Sequence, residues 1–142
     1  MENFITFIAN HVFLSGAFVL IFLALVVHEF YYRVQSGRRC SAQDLVRLSN
    51  QEKGQVVDLR EKSHFNEGHI AGALHIPSSI LSTQFDEKVT LSKEAPVILV
   101  DSQGEQGHSV STLFRKKGFS KVYFLGGGIA AWREAHLPLV KK

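Results

Sequence analysis

The chain has 142 residues and a mass of 15.9 kDa, room for one domain of ordinary size and one further segment but not for two full domains. Apolar side chains make up 45% and charged ones 20%, which excludes a disordered chain. The net charge of +3, from 16 Lys and Arg against 13 Asp and Glu, is too small to indicate nucleic-acid binding, and the single cysteine, Cys40, excludes an internal disulfide framework and a multi-cysteine zinc site.

From His11 to Val27 the sequence reads HVFLSGAFVLIFLALVV, with no Asp, Glu, Lys or Arg. Widening the run to Phe4 and Tyr32 admits only Asn10, His11, His28 and Glu29 as strongly polar interruptions. A helix over about 22 of these residues is roughly 33 Å long, enough to cross a bilayer core. A secretory signal would carry Lys or Arg ahead of its apolar stretch and small residues at a cleavage site behind it. Here MENFITFIAN leads in without a basic side chain and HEFYYRVQSGRR follows, with Tyr31 and Tyr32 placed for the aromatic belt of a membrane interface. The run is expected to be a retained transmembrane helix over residues 4–32, in contact with membrane lipid. Arg33, Arg38 and Arg39 follow it and no basic residue precedes it, so the positive-inside bias puts the N-terminus outside and the rest of the chain in the cytoplasm. That compartment is reducing, which suits one unpaired thiol.

Residues 33–40, RVQSGRRC, read as a short basic linker, with Cys40 an incidental thiol that has no histidine arranged beside it. A domain over 41–142 follows. Ser41 is a helix N-cap, with Asp44 three residues on and Leu45, Val46 and Leu48 behind. QVVDL (55–59) is a short buried strand, GALHIP (72–77) holds another that Pro77 stops, and residues 78–85 form a short helix. PVILVD, opened by Pro96, is the strongest strand signal, continuously apolar and partly β-branched from Val97 to Val100. After the polar loop SQGEQG, a helix runs from Ser109 to Lys117, with Gly118 as its C′ residue. KVYFL (121–125) is a further strand, and Gly126, Gly127 and Gly128 lead into a helix over 129–135. Strands apolar throughout are buried on both faces, and their alternation with helices predicts a parallel α/β sheet. Ligands of such sheets sit beyond the C-terminal strand ends, where the loop opened by Asp101 lies.

Two segments carry a likeness to a known family. VVDLREKSHFNEGHIAGALHIP (56–77) holds Asp-x-Arg, then Phe, then Gly-His-Ile-x-Gly-Ala and Ile-Pro, and GFSKVYFLGGGIAAW (118–132) closes in Gly-Gly-Ile-x-x-Trp. With PVILV between them, they resemble the rhodanese-like domain over residues 41–140. The resemblance implies a five-stranded, mostly parallel sheet with helices on both sides. An anchor ahead of one such domain is similar to membrane-bound bacterial members of the family, which implies the inner membrane. Asp58 then closes a strand that Arg60 holds through charge-assisted hydrogen bonds. Gly68, Gly72 and Gly118 allow tight turns, His69 makes structural hydrogen bonds, and Trp132 anchors the last helix.

Active members of the family carry a cysteine directly after the central strand, in a loop that commonly reads Cys-Arg-x-Gly-x-Arg. Its thiolate takes a sulfur atom from a donor and passes it to an acceptor. The reaction needs a lowered thiol pKa, positive charge for anionic donors and backbone N–H groups around the persulfide. Counted back from Gly118 through the helix without a gap, the resemblance places Asp101 at the cysteine position and Ser102 and Gln106 at the arginine positions. The loop runs Asp101, Ser102, Gln103, Gly104, Glu105, Gln106 and Gly107, and only Gly104 matches the family pattern. A carboxylate cannot carry a persulfide. Asp101 and Glu105 also bring negative charge, and unit charges about 5 Å apart at an effective dielectric of ~20 interact by roughly 3 kcal/mol, so anionic donors are opposed. No catalytic residue is expected. The favoured function is a protein-binding module that offers residues 101–107 to a partner at the cytoplasmic membrane surface, and the alternative is a sulfurtransferase with a non-standard site.

Other readings of these residues are weaker. Asp101 as a phosphate acceptor lacks Mg²⁺ ligands and a partner lysine. Asp101, Glu105 and His108 lack a further metal ligand, and His64, His69 and His75 lack zinc-site spacing and companion cysteines. The glycine triplet is not followed by Gly-Lys-Ser/Thr. No metal and no cofactor is expected. Arg115, Lys116, Lys117 and Lys121 cluster where a helix ends; cations there complement the helix dipole, and with Lys141 and Lys142 they are available to lipid or an acidic partner.

Overall fold

The apolar N-terminal run forms two helices, α1 (Glu2–Asn10) and α2 (Val12–Gln35), in the computed structural model, which describes residues 2–35 and 37–142. The single helix expected over 4–32 is therefore interrupted by a turn at His11. Backbone hydrogen bonds continue across it, from His11 N to Phe7 O (3.1 Å) and from Ser15 N to His11 O (2.9 Å). Among the described residues, Val12–Arg33 is the one helical stretch long and apolar enough to cross a membrane, with a mean hydropathy of 2.3 and none of its length buried against protein. Its 22 residues extend about 33 Å. Its one carboxylate, Glu29, is neutralised by Arg33 one turn on, at 2.8 Å.

The chain divides at residues 35 and 36 into this helical unit and a second unit that holds the sheet. Ser36 of the expected linker lies outside the described residues. The linker expected over 33–40 is otherwise taken up by regular structure at both ends: 33–35 close α2, and Arg38–Cys40 is a strand, β1. It is a strand because its backbone pairs in parallel with a distant partner, Arg38 with Tyr123 and Cys40 with Leu125, and because Gly37 N–H donates to Ser111 Oγ at 2.9 Å.

α3 (Ala42–Gln51) starts at a full capping box. Asp44 N donates to Ser41 Oγ and Ser41 N to the Asp44 carboxylate, both at 3.1 Å. The Ser41 side chain and then its backbone N–H hold the Asp44 carboxyl below the usual range, with Arg47 adding less. Then follow β2 (Gln55–Asp58), α4 (Lys62–Glu67), β3 (Leu74–His75), α5 (Ser78–Lys88), β4 (Val97–Val100), α6 (Gly107–Lys116), β5 (Val122–Leu125) and α7 (Gly128–Glu134). The five strands are parallel throughout, in the order β1-β5-β4-β2-β3.

The central strand β4 explains its own composition. Ile98 and Val100 face one core layer with Leu45, Leu48, Ile129 and Trp132; Val97 and Leu99 face the other with Leu81, Phe85, Val110 and Phe114. A strand covered on both faces has no polar position, hence the unbroken VILV. Phe85, Phe114 and Phe119 meet edge to face at 4.8–6.2 Å and fill the second layer.

Candidate functional site

The C-terminal strand ends gather the buried charges. Asp58 ends β2 and is 1% exposed; Arg60 is 7% exposed. The guanidinium grips the carboxylate in a fork, Nε to Oδ1 at 3.0 Å and Nη2 to Oδ2 at 2.8 Å, and Arg60 N–H adds a third bond to Oδ1. Nη2 also donates to Gly68 O at 2.7 Å, tying the end of β2 to the end of α4. Gly68 holds the turn through that carbonyl and not through special dihedrals: its φ of 168° is extended backbone, so the tight-turn role expected for it is corrected. Gly72 and Gly118 do take positive φ, 78° and 97°.

Phe65, buried on α4, lies between two imidazoles, His69 at 3.8 Å and His75 at 4.6 Å between ring centroids. His69 Nδ1–H donates to Phe65 O and His75 Nε2–H to Arg60 O, each at 2.8 Å. His69 also exchanges two backbone bonds with Val140, which fastens the chain's end to the sheet unit. Trp132, 5% exposed, packs in the core and donates Nε1–H to Pro138 O at 3.0 Å. These groups build the frame.

The loop after β4 is a different kind of object. Asp101 is 6% exposed, and its carboxylate turns into the loop that it opens. Oδ1 accepts from Gly104 N–H at 2.5 Å and Oδ2 from Gln106 N–H at 2.7 Å, at the entrance of α6. Two amides of the loop, one of them the N-cap of α6, are thus held by a side chain of the loop itself. The backbone permits this only because glycines meet. Gly104 has φ +84°, and a Cβ there would come within 2.7 Å of Gly127 N; a Cβ on Gly128, at φ +59°, would strike Asp101 O and lie 2.7 Å from Gln103 N. Ile129 N–H and Ala130 N–H, in the first turn of α7, donate to Asp101 O (2.9 Å) and Ser102 O (3.2 Å). The glycine triplet therefore serves loop packing.

A pocket of about 270 Å³ opens against this loop, lined by Ser102, Gln103, Glu105 and Gln106 together with Leu59, Arg60, Glu61, His64, Ser78 and Asp101. Three carboxylates border it against one guanidinium, which Asp58 already holds. Across Ser102 and Gln103 lies a second crevice of about 230 Å³, with Glu67, Ala130 and Arg133 on its far wall. Gly107 is buried under Phe124, where a Cβ would collide. Of residues 101–107, Asp101, Ser102, Gln103, Glu105 and Gln106 line the pocket and Gly104 and Gly107 do not, while Glu61 and Ser78 were not among the residues singled out. Glu61 and Ser78 follow the ends of β2 and β3, and the rule that such ends face ligands is the signal that reaches them.

Cys40 is also at this edge, contrary to its placement in a linker. It ends β1, two strands from β4 and thus ~10 Å to the side. Its side chain is 5% exposed in the core with Leu45, Ile129 and Trp132. Burial, with the Asp44 charge adding less, pushes its thiol from 9.0 up to about 12, the reverse of what a sulfur nucleophile needs.

Residues 41–135 match the rhodanese-like domain. The chain belongs to the rhodanese-like family. It is 34% identical over 142 residues to the protein YibN of Escherichia coli (strain K12), covering 99% of both chains. It is 34% identical over 95 residues to the thiosulfate sulfurtransferase GlpE of Pseudomonas aeruginosa, covering 67% of this chain and 84% of that one. Among solved structures, a rhodanese-related protein from Thermoplasma volcanium superposes with a TM-score of 0.62 at 24% identity, over 74% of this chain and 99% of that chain, a likeness of fold. The rhodanese-like fold thus frames a loop in which Asp101 accepts from two amides of its own loop.

Proposed function

We propose that this rhodanese-like domain is a membrane-tethered docking module and not a sulfurtransferase. α2 anchors the chain in the bacterial inner membrane with the N-terminus outside, and the domain offers residues 101–107 to a protein partner at the cytoplasmic surface. The carrying observation is the Asp101 carboxylate bonded to the Gly104 and Gln106 amides. By the family resemblance, Asp101 holds the place of the sulfur-accepting cysteine, and its own charge fills the seat that an anionic donor would take. Glu61 and Glu105 on the pocket rim oppose such donors further. An exposed polar loop on a rigid sheet edge is suited to recognition.

The second reading, sulfur transfer through an unusual site, draws on the likeness to GlpE. Incubating the full-length protein in detergent with thiosulfate and cyanide separates the two. The docking reading expects no thiocyanate above buffer; turnover that Cys40→Ser abolishes would establish the alternative. Asp101→Cys combined with Ser102→Arg and Gln106→Arg should gain a persulfide detectable by mass. A photoreactive side chain at position 105, used in native membranes, should capture one discrete neighbour, and recovery of none would remove the docking reading. Protease added to spheroplasts should leave the domain intact; rapid digestion would reverse its orientation.

A further inference from the structure

The opposite, N-terminal edge of the sheet carries a pocket with the reverse charge. Arg38 at the start of β1, Arg115 in the last turn of α6 and Lys121 just ahead of β5 surround about 280 Å³, with Ser120 and Tyr123 as hydroxyl neighbours and Glu52 as the one carboxylate in its lining. None of the three cations forms an ion pair among the described residues, and Arg115 Nε is buried with no hydrogen-bond acceptor. A buried donor left open beside a cationic pocket calls for an anionic acceptor. The C-terminus of α6 supplies roughly half a negative charge, which with Glu52 does not offset three cations.

We propose that this pocket seats the phosphate of an anionic phospholipid headgroup, an assignment that rests on the membrane anchor proposed above. Arg38 stands three positions after Gln35, where α2 ends, and three residues of chain span at most ~11 Å. A tether that short keeps this edge within reach of the headgroups. The guanidinium groups match a phosphate by shape as well as charge, and anionic lipid at the cytoplasmic leaflet is confined beside them at high local concentration.

The test uses the full-length protein in phosphatidylcholine bilayer discs, with and without phosphatidylglycerol, and reads the acylation rate of each lysine by mass spectrometry. Recovery of the protein with the discs checks the anchor separately, and protein that fails to enter them removes the anchor itself. Phosphatidylglycerol should slow Lys121 about fivefold and leave Lys62, on α4 at the other edge, unchanged. Arg38→Gln with Arg115→Gln should restore the Lys121 rate, and Arg38→Gln alone, at an exposed site, should restore part of it should the pair fail to fold. Equal slowing of Lys62, slowing that survives both substitutions, or the same slowing by inorganic phosphate in phosphatidylcholine discs would each overturn the assignment.

Discussion

The two edges of the sheet handle charge in opposite ways. At the C-terminal edge the key charges are buried and bonded: Asp58 in the fork of Arg60, and Asp101 on two loop amides. At the N-terminal edge Arg38, Arg115 and Lys121 line an open pocket, and none of the three forms an ion pair among the described residues. A charge removed from the first edge leaves a partner stranded in a medium where it cannot be solvated. A charge removed from the second leaves water. At the first edge buried charges thus fix the frame beneath an exposed loop, and at the second the pocket cations are left unpaired.

The contrast is sharpest in stability. Arg60→Ala strands the Asp58 carboxylate and the Gly68 carbonyl, and should lower the unfolding free energy by about 3–5 kcal/mol in denaturant titrations of the full chain; a loss below about 1 kcal/mol would make both edges alike. Asp101→Ala should cost about 1–3 kcal/mol through the two freed amides. It should also open the loop to anions, so that sulfate raises the melting temperature of the variant and not of the parent; equal shifts would show that Asp101 does not hold the loop amides.

The Cys40 thiol should resist a thiol-reactive dye at pH 8 until the protein is denatured. From pH 9.0 upward the unfolded chain loses this proton, while the folded chain keeps it to about 12. The folded pKa is raised, so its stabilising effect is full below 9.0 and fades across that window as pH rises; labelling of native protein would place the thiol outside the core. The smallest effect belongs to the exposed end of α6, where Lys117 meets Asp86 at 2.8 Å. Asp86→Asn should change stability by less than about 1 kcal/mol, and a larger loss there would erase the difference between the edges.

Much of this could be read from the chain. The capping box at Ser41 and Asp44 is local, a matter of four consecutive residues, so its sequence signature and its geometry coincide. The VILV run announced a doubly covered strand because it is short, partly β-branched and bounded by turn signals, which together favour a strand over a buried helix. β1 left no such trace. Arg-Arg-Cys has no strand pattern, and its state comes from bonds to residues 123–125 that no local window contains. α4 was equally silent, with Phe65 as its only apolar side chain. The turn at His11 has only the polar pair Asn10 and His11 as a trace, and two polar residues do not by themselves end an apolar helix.

The sequence by itself determined the fold class, the apolar span and the chemical identity of the loop, since periodicity, run length and side-chain type are properties of neighbours along the chain. Only the tertiary structure decided where charge meets charge. It turned Asp101 onto its own loop amides through a glycine-to-glycine contact, buried Cys40 beneath two helices and set three cations around an open pocket. Each of these depends on residues brought together from far along the chain, by packing that no single segment encodes.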